Sequence, residues 1–136
     1  MTREEILKLE PGSELDRLVA EKVMGWKQGP DFWVSYEGII HLSAGEVSPG
    51  HIVYREAPWS PSSDIAEAWS VVEKLVNLGW LVNLLSPWKG NATQHWTCYA
   101  ERQGKSGWEK LKAAGDSAPL TICRAALLAV MEVGDE

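Results

Sequence analysis

The stretch Ser62 to Leu78, Ser-Ser-Asp-Ile-Ala-Glu-Ala-Trp-Ser-Val-Val-Glu-Lys-Leu-Val-Asn-Leu, closed by Gly79, restricts the possible folds more than any other. Ile65, Ala68, Trp69, Val72, Leu75 and Val76 recur at the three- and four-residue steps of one helix face, while Glu67, Ser70, Glu73 and Lys74 fall opposite. Ser62 or Ser63 is expected to cap the free N–H groups, Asp64 and Glu67 place negative charge in the first turn, and Gly79 offers a left-handed stop. An amphipathic helix needs an apolar floor. The run Trp80 to Leu85, apolar at nearly every position, is the expected strand beneath it, covered on both faces.

Around this centre the chain reads as one domain, 1–136. Its 136 residues are 45% hydrophobic, with eight Trp, enough for a single substantial core. Thr2 and Glu5 form a capping box, and Ser13 repeats the device with Asp16 ahead of a helix from about Glu14 to Met24 that Gly25 ends. Lys22 beside its apolar side reads as a snorkelling lysine, with phosphate or carboxylate ligation as the alternative. Phe32 to Tyr36 and Ile39 to Leu42 read as short strands of a hairpin, and His51 to Arg55 as another, within the irregular segment 27–61 where functional loops are expected. Gln94 to Glu101 is a strand antiparallel to Trp80–Leu85, and Gly104 to Gly115 is an irregular basic segment with Lys105, Lys110 and Lys112 and room for a short helix around Trp108 to Ala113.

The last predicted helix, Pro119 to Val133 with Ser117 as cap, carries two apolar strips. Ile122, Cys123, Ala126, Leu127 and Val130 form one; Leu120, Leu128 and Met131 around Arg124 form the other. Either the helix is enclosed by its own domain, or Leu120, Arg124, Leu128 and Met131 meet a second subunit.

Three blocks resemble the phage ABA sandwich domain proteins of phages and prophages. They are Pro11–Asp16 with Val19–Trp26, Asp64–Trp69 with Val72–Leu75, and Ala118–Pro119 with Ile122–Ala129. Where the family runs Pro-Tyr-Ser-Thr into the central helix, this chain has Pro58-Trp59-Ser60-Pro61-Ser62-Ser63. The resemblance implies a small three-layer α/β/α sandwich of α+β type with a short, mainly antiparallel sheet, working in the cytoplasm of an infected bacterium. It carries no catalytic motif over.

Composition and motif searches narrow the chemistry. A formal charge of −6 opposes general attraction to nucleic acid, although a local basic pocket is compatible with it. No run approaches a membrane span. His41, His51 and His95 are scattered, Cys98 and Cys123 have neither zinc nor disulfide spacing and read as free thiols, and no nucleophile elbow or phosphate loop occurs. No metal and no cofactor is therefore expected. Trp69, Trp80 and Trp96 read as core, whereas Trp33, Trp59, Trp88 and Trp108 fall in or beside predicted loops. A site built from Trp59, Trp33 and Trp88 with Arg55, Ser62 and Ser63 at the central helix N-terminus would stack a planar base and receive a phosphate. The bland alternative is that these indoles fill a loop-rich second layer.

The resulting expectation is a non-enzymatic phage protein that sequesters a small host molecule, a nucleotide-derived immune signal in its most concrete form, and forms a homo-oligomer. Its rivals are a protein-binding module that inhibits a host factor through the Leu128 strip, and an enzyme that degrades such a signal.

Overall fold

The computed structural model describes residues 1–28, 32–36, 40–41, 47–48, 52–56, 59–87 and 95–131, with the backbone alone for 28, 32–36, 40–41, 47–48 and 52–56. In chain order the elements are α1 (Arg3–Leu7), α2 (Ser13–Leu18) running into a π-helical turn (Val19–Val23), β1 (Lys27–Gln28), β2 (Phe32–Tyr36), β3 (Ile40–His41), β4 (Val47–Ser48), β5 (Ile52–Glu56), α3 (Ile65–Asn77), β6 (Leu81–Leu85), β7 (Trp96–Gly104), β8 (Gly107–Gly115) and α4 (Ala118–Val130). The expected class, a small α+β fold with a short antiparallel sheet, is the one that forms.

Local chemistry explains most of the boundaries. Thr2 Oγ1 accepts from Glu5 N–H while Glu5 Oε1 accepts from Thr2 N–H, closing the expected capping box on α1. At α3 the cap is Asp64 rather than Ser62 or Ser63: its Oδ1 accepts from Ala66 and Glu67 N–H at 2.9 and 3.2 Å. Gly79, at φ +97°, turns the chain from α3 into β6. Ser117 caps α4 through Leu120 N–H as expected, whereas Gly12, and not Ser13, stands at the N-cap of α2 and provides no side-chain bond.

The sheet at the centre has the order β6-β7-β8 and is antiparallel throughout. Segment 104–115, expected to be irregular with a short helix around Trp108 to Ala113, is instead the end of a long hairpin: Gly104 pairs with Gly107 across a two-residue turn, and β8 returns in register to Trp96↔Gly115. The alternation of Lys110, Leu111, Lys112 and Ala113 is the strand period, and the basic composition of the segment hid it. Val82↔Ala100↔Leu111 and Leu84↔Cys98↔Ala113 form the inner face; Leu81↔Glu101↔Lys110 and Asn83↔Tyr99↔Lys112 form the outer one. Leu81 and Leu85 are more than half exposed on that outer face, so β6 is covered on one side only.

α4 lies on the inner face, where the small residues Cys98, Ala100 and Ala113 let it approach closely. Its other sides meet α1, α2, the π turn and α3. Ten of its 13 residues are buried, which decides the open question about its two strips: its own domain encloses both. Leu120 and Leu128 are core residues rather than interface residues, and Met131 packs half-buried against the same core.

α3 shows the opposite deviation. Ala68, Val71, Val72 and Leu75 are buried, yet Ile65, Trp69 and Val76 from the expected core stripe remain more than half exposed. The helix has α4 on one side, and that contact selects an arc narrower than the apolar face the sequence offers. Trp80 and Trp26 are buried and Trp96 is half-buried. Among the irregular residues, β2 pairs with β1 and β5 rather than with β3, so the expected hairpin of neighbouring strands is replaced by a longer-range pairing. β3 pairs with β4 in a separate two-stranded ladder.

Candidate functional site

The expected stacking site beside α3 is not assembled from Trp59 and Ser62. Trp59 is 8% exposed, its ring centroid 4.5 Å from that of Trp26 and tilted by 59°. Ser62 is fully buried; its N–H donates to Asp16 Oδ1 at 2.8 Å, and its Oγ accepts from Gly12 N–H at 3.0 Å. These bonds tie the entry to α3 onto α2, and they use the groups a phosphate would have taken. Ser63 is exposed, and Asp64 already occupies the first free N–H groups of α3. In the backbone, Trp33 and Arg55 are cross-strand partners of β2 and β5, while their side chains and the whole of Trp88 lie outside the described residues.

A different recess collects the cationic groups. At the end of the β7–β8 hairpin nearest α4, a cleft of about 410 Å³ is lined by Arg3, Leu7, His95, Lys112, Ala114, Gly115, Asp116 and Arg124. Three residues with a permanent positive charge and one with a carboxylate thus line the cleft, in a chain whose net charge is −6. A local field of this sign attracts anions despite the acidity of the whole.

Each group is held by a distinct element. Arg124 projects from the middle of α4, and its Nε and Nη2 donate to Leu9 O at 3.0 and 2.7 Å. Its Nη1 donates to Ala114 O at 2.8 Å, so the guanidinium plane spans from the end of β8 to the segment after α1. A planar donor in this position satisfies backbone oxygens that α4, α1 and β8 leave bare, and it still has one N–H on each Nη to offer. Arg3, at the start of α1, makes one long contact from Nη2 to Lys112 O (3.5 Å) and is otherwise exposed. His95 Nδ1 lies 3.2 Å from Asp116 Oδ1 across the mouth, both side chains being largely exposed. The Lys112 ammonium sits 5.7 Å from the Tyr99 ring centroid on the outer face, so this lysine joins the cleft to an exposed aromatic ring.

Gly115 makes the geometry possible. A Cβ there would come within 2.8 Å of Thr121 Oγ1 and 3.2 Å of Leu120, because α4 starts directly against the end of β8. Only glycine lets the helix sit close enough for Arg124 to reach Ala114 O.

The two thiols are placed for packing rather than reaction. Cys98 and Cys123 are both free and buried; burial pushes the Cys98 thiol up to about 11 and that of Cys123 further, the nearby Asp16 carboxylate adding to the effect. Burial also raises the Asp16 carboxyl above its ordinary value, against the pull of its hydrogen bonds from Ser62. Glu67 is raised chiefly by burial, with Asp64 and Asp16 contributing repulsion.

Of these cleft residues the sequence drew attention to Arg124 as part of an apolar strip and to Lys112 as part of a basic segment. Arg3, His95 and Asp116 passed without a binding role, since they are distant in sequence and have no motif spacing. An arginine within an otherwise buried helix was the usable signal: it must find several acceptors at an edge of the core.

Fold and cleft together define a small α+β domain with a recess lined by Arg3, Lys112 and Arg124 at the end of an antiparallel sheet. The phage ABA sandwich domain model matches residues 17–127 of the 136, and the chain belongs to that family. The matched region takes in His95, Lys112, Asp116 and Arg124, while Arg3 precedes it. No curated protein and no solved structure matches the chain. No helix among the described residues is long and apolar enough to cross a membrane.

Proposed function

We propose that this phage-family protein binds and sequesters a small phosphate-bearing host molecule without transforming it, a nucleotide-derived immune signal being the concrete form. The observation that carries the reading is the cleft of about 410 Å³ that Arg3, Lys112 and Arg124 all line. That volume is in the range of small-molecule pockets, roughly 300–1,000 Å³. Arg124 is fixed in advance by its three backbone contacts, so its two remaining N–H groups meet a phosphate without ordering a loose side chain. Arg3 brings a second guanidinium to the same cleft, the His95 ring is part of its lining, and the Tyr99 ring lies beside the Lys112 ammonium; these are the ring surfaces a base could use.

The test is titration calorimetry against a panel of mono-, di- and cyclic nucleotides, followed by denaturation and chromatography of the released ligand. At least one nucleotide is expected to bind and to be recovered intact, with affinity falling about tenfold in Arg3→Ala, one charge-assisted contact's worth. Arg3 is exposed, so the variant keeps its melting temperature. A panel without a binder, or equal binding by the variant, removes the reading; a chemically altered ligand replaces sequestration with catalysis.

A further inference from the structure

Two exposed apolar features adjoin one edge of the β6-β7-β8 sheet. Among the described residues β6 is bonded to β7 alone, leaving its other edge open. Its five residues, Leu81-Val82-Asn83-Leu84-Leu85, contain no charge and no proline, the usual protections of an exposed edge. Beside it, α3 packs on β6 and α4. At steps of four and seven residues, Ile65, Trp69 and Val76 fall within an arc of about 40° on that helix, and all three are more than half exposed, as are Leu81 and Leu85.

We infer that this edge is covered by a second copy of the chain, paired antiparallel through β6 about a two-fold axis at Asn83. The strand itself argues for a self-partner, because its side-chain classes read the same in both directions. With Asn83 opposite its own copy, Leu81 faces Leu85, and Val82 faces Leu84. Every cross-strand pair is then apolar against apolar, except at the axis, where one carboxamide donates to the other. The sheet becomes six strands long and loses its open β6 edges. The Ile65–Trp69–Val76 stripe flanks the same axis and meets its own image. Half-exposed side chains of this size offer roughly 100 Å² each, so these five supply about 500 Å² of the roughly 800 Å² that each partner of a stable pair contributes, before the strand edge is counted. A second subunit thus docks through α3 and β6, and not through the enclosed α4.

Sedimentation velocity and light scattering at about 100 µM, well above a micromolar dissociation constant, test this. The unaltered protein is expected at twice its 15.1 kDa chain mass. Trp69→Glu and Asn83→Lys each shift it towards monomer with unchanged far-ultraviolet circular dichroism, because both positions are exposed. Asn83→Cys forms an intermolecular disulfide under mild oxidation, while Ser63→Cys does not; the native thiols are buried and silent in this assay. A monomeric unaltered protein, a dimer that both substitutions leave intact, or failure of Asn83→Cys to cross-link overturns the inference.

Discussion

Replacing Trp59 by alanine separates a core indole from a ligand-stacking one. The ring is 8% exposed and lies against Trp26, with 4.5 Å between centroids, so truncation removes nearly a whole buried indole and strips one side of its neighbour. Substitutions of this kind cost about 3–5 kcal/mol, the transfer of the lost atoms and the residual cavity both contributing. For a domain of this size each kcal/mol lowers the melting temperature by roughly 3 °C, so Trp59→Ala is expected to melt about 10–15 °C below the unaltered protein. Trp59→Phe retains a ring against Trp26 and should lose less than half as much. Thermal unfolding followed by circular dichroism at 222 nm suits this test, because the eight tryptophans would blur a fluorescence signal. A melting temperature within about 2 °C of the parent, below one kcal/mol by the same scaling, would refute the placement of Trp59 in the core and restore it as a candidate for stacking on a ligand.

Two other perturbations follow from burial. Leu128→Asp places a carboxylate where the side chain is almost wholly enclosed, and a loss above about 4 kcal/mol is expected, read as an unfolded or insoluble product rather than as a folded monomer; a folded, soluble variant would return Leu128 to the surface. Asp16→Asn keeps an oxygen for Ser62 N–H and removes a group that burial makes reluctant to ionise. Between the ordinary carboxyl value and the raised one, the folded protein holds a proton that the unfolded chain releases, so this group's contribution to stability falls as pH rises through that window. Urea midpoints measured from about pH 4 to pH 7 should therefore show Asp16→Asn gaining on the parent as pH rises, and a gain that runs the other way contradicts the assigned burial.

Much of the architecture was legible because it rests on short-range rules. The α1 capping box, the span of α3, the Gly79 stop, the antiparallel pairing of β6 with β7 and the Ser117 cap each depend on residues a few positions apart. The hairpin at Gly104–Gly107 was missed although its alternation was present, because lysines on the solvent side of a strand have the same composition as a basic loop. Trp59 and Ser62 were misjudged for a different reason. Proline and serine around them are loop residues in any window, yet this loop is bonded to Asp16 and Gly12, 46 and 50 positions away, and is thereby drawn into the core.

The sequence by itself settled the main helices, the pairing of β6 with β7 and which family the chain resembles, since periodicity, caps and block order are written locally. Only the tertiary structure decided which arc of α3 is buried, that ten of the 13 residues of α4 are buried, and that Arg3, Lys112 and Arg124 share one recess. Those outcomes depend on how much apolar surface each element finds opposite it and on which bare carbonyls a guanidinium can reach, and both are set by contacts between residues as far apart as Leu9 and Arg124.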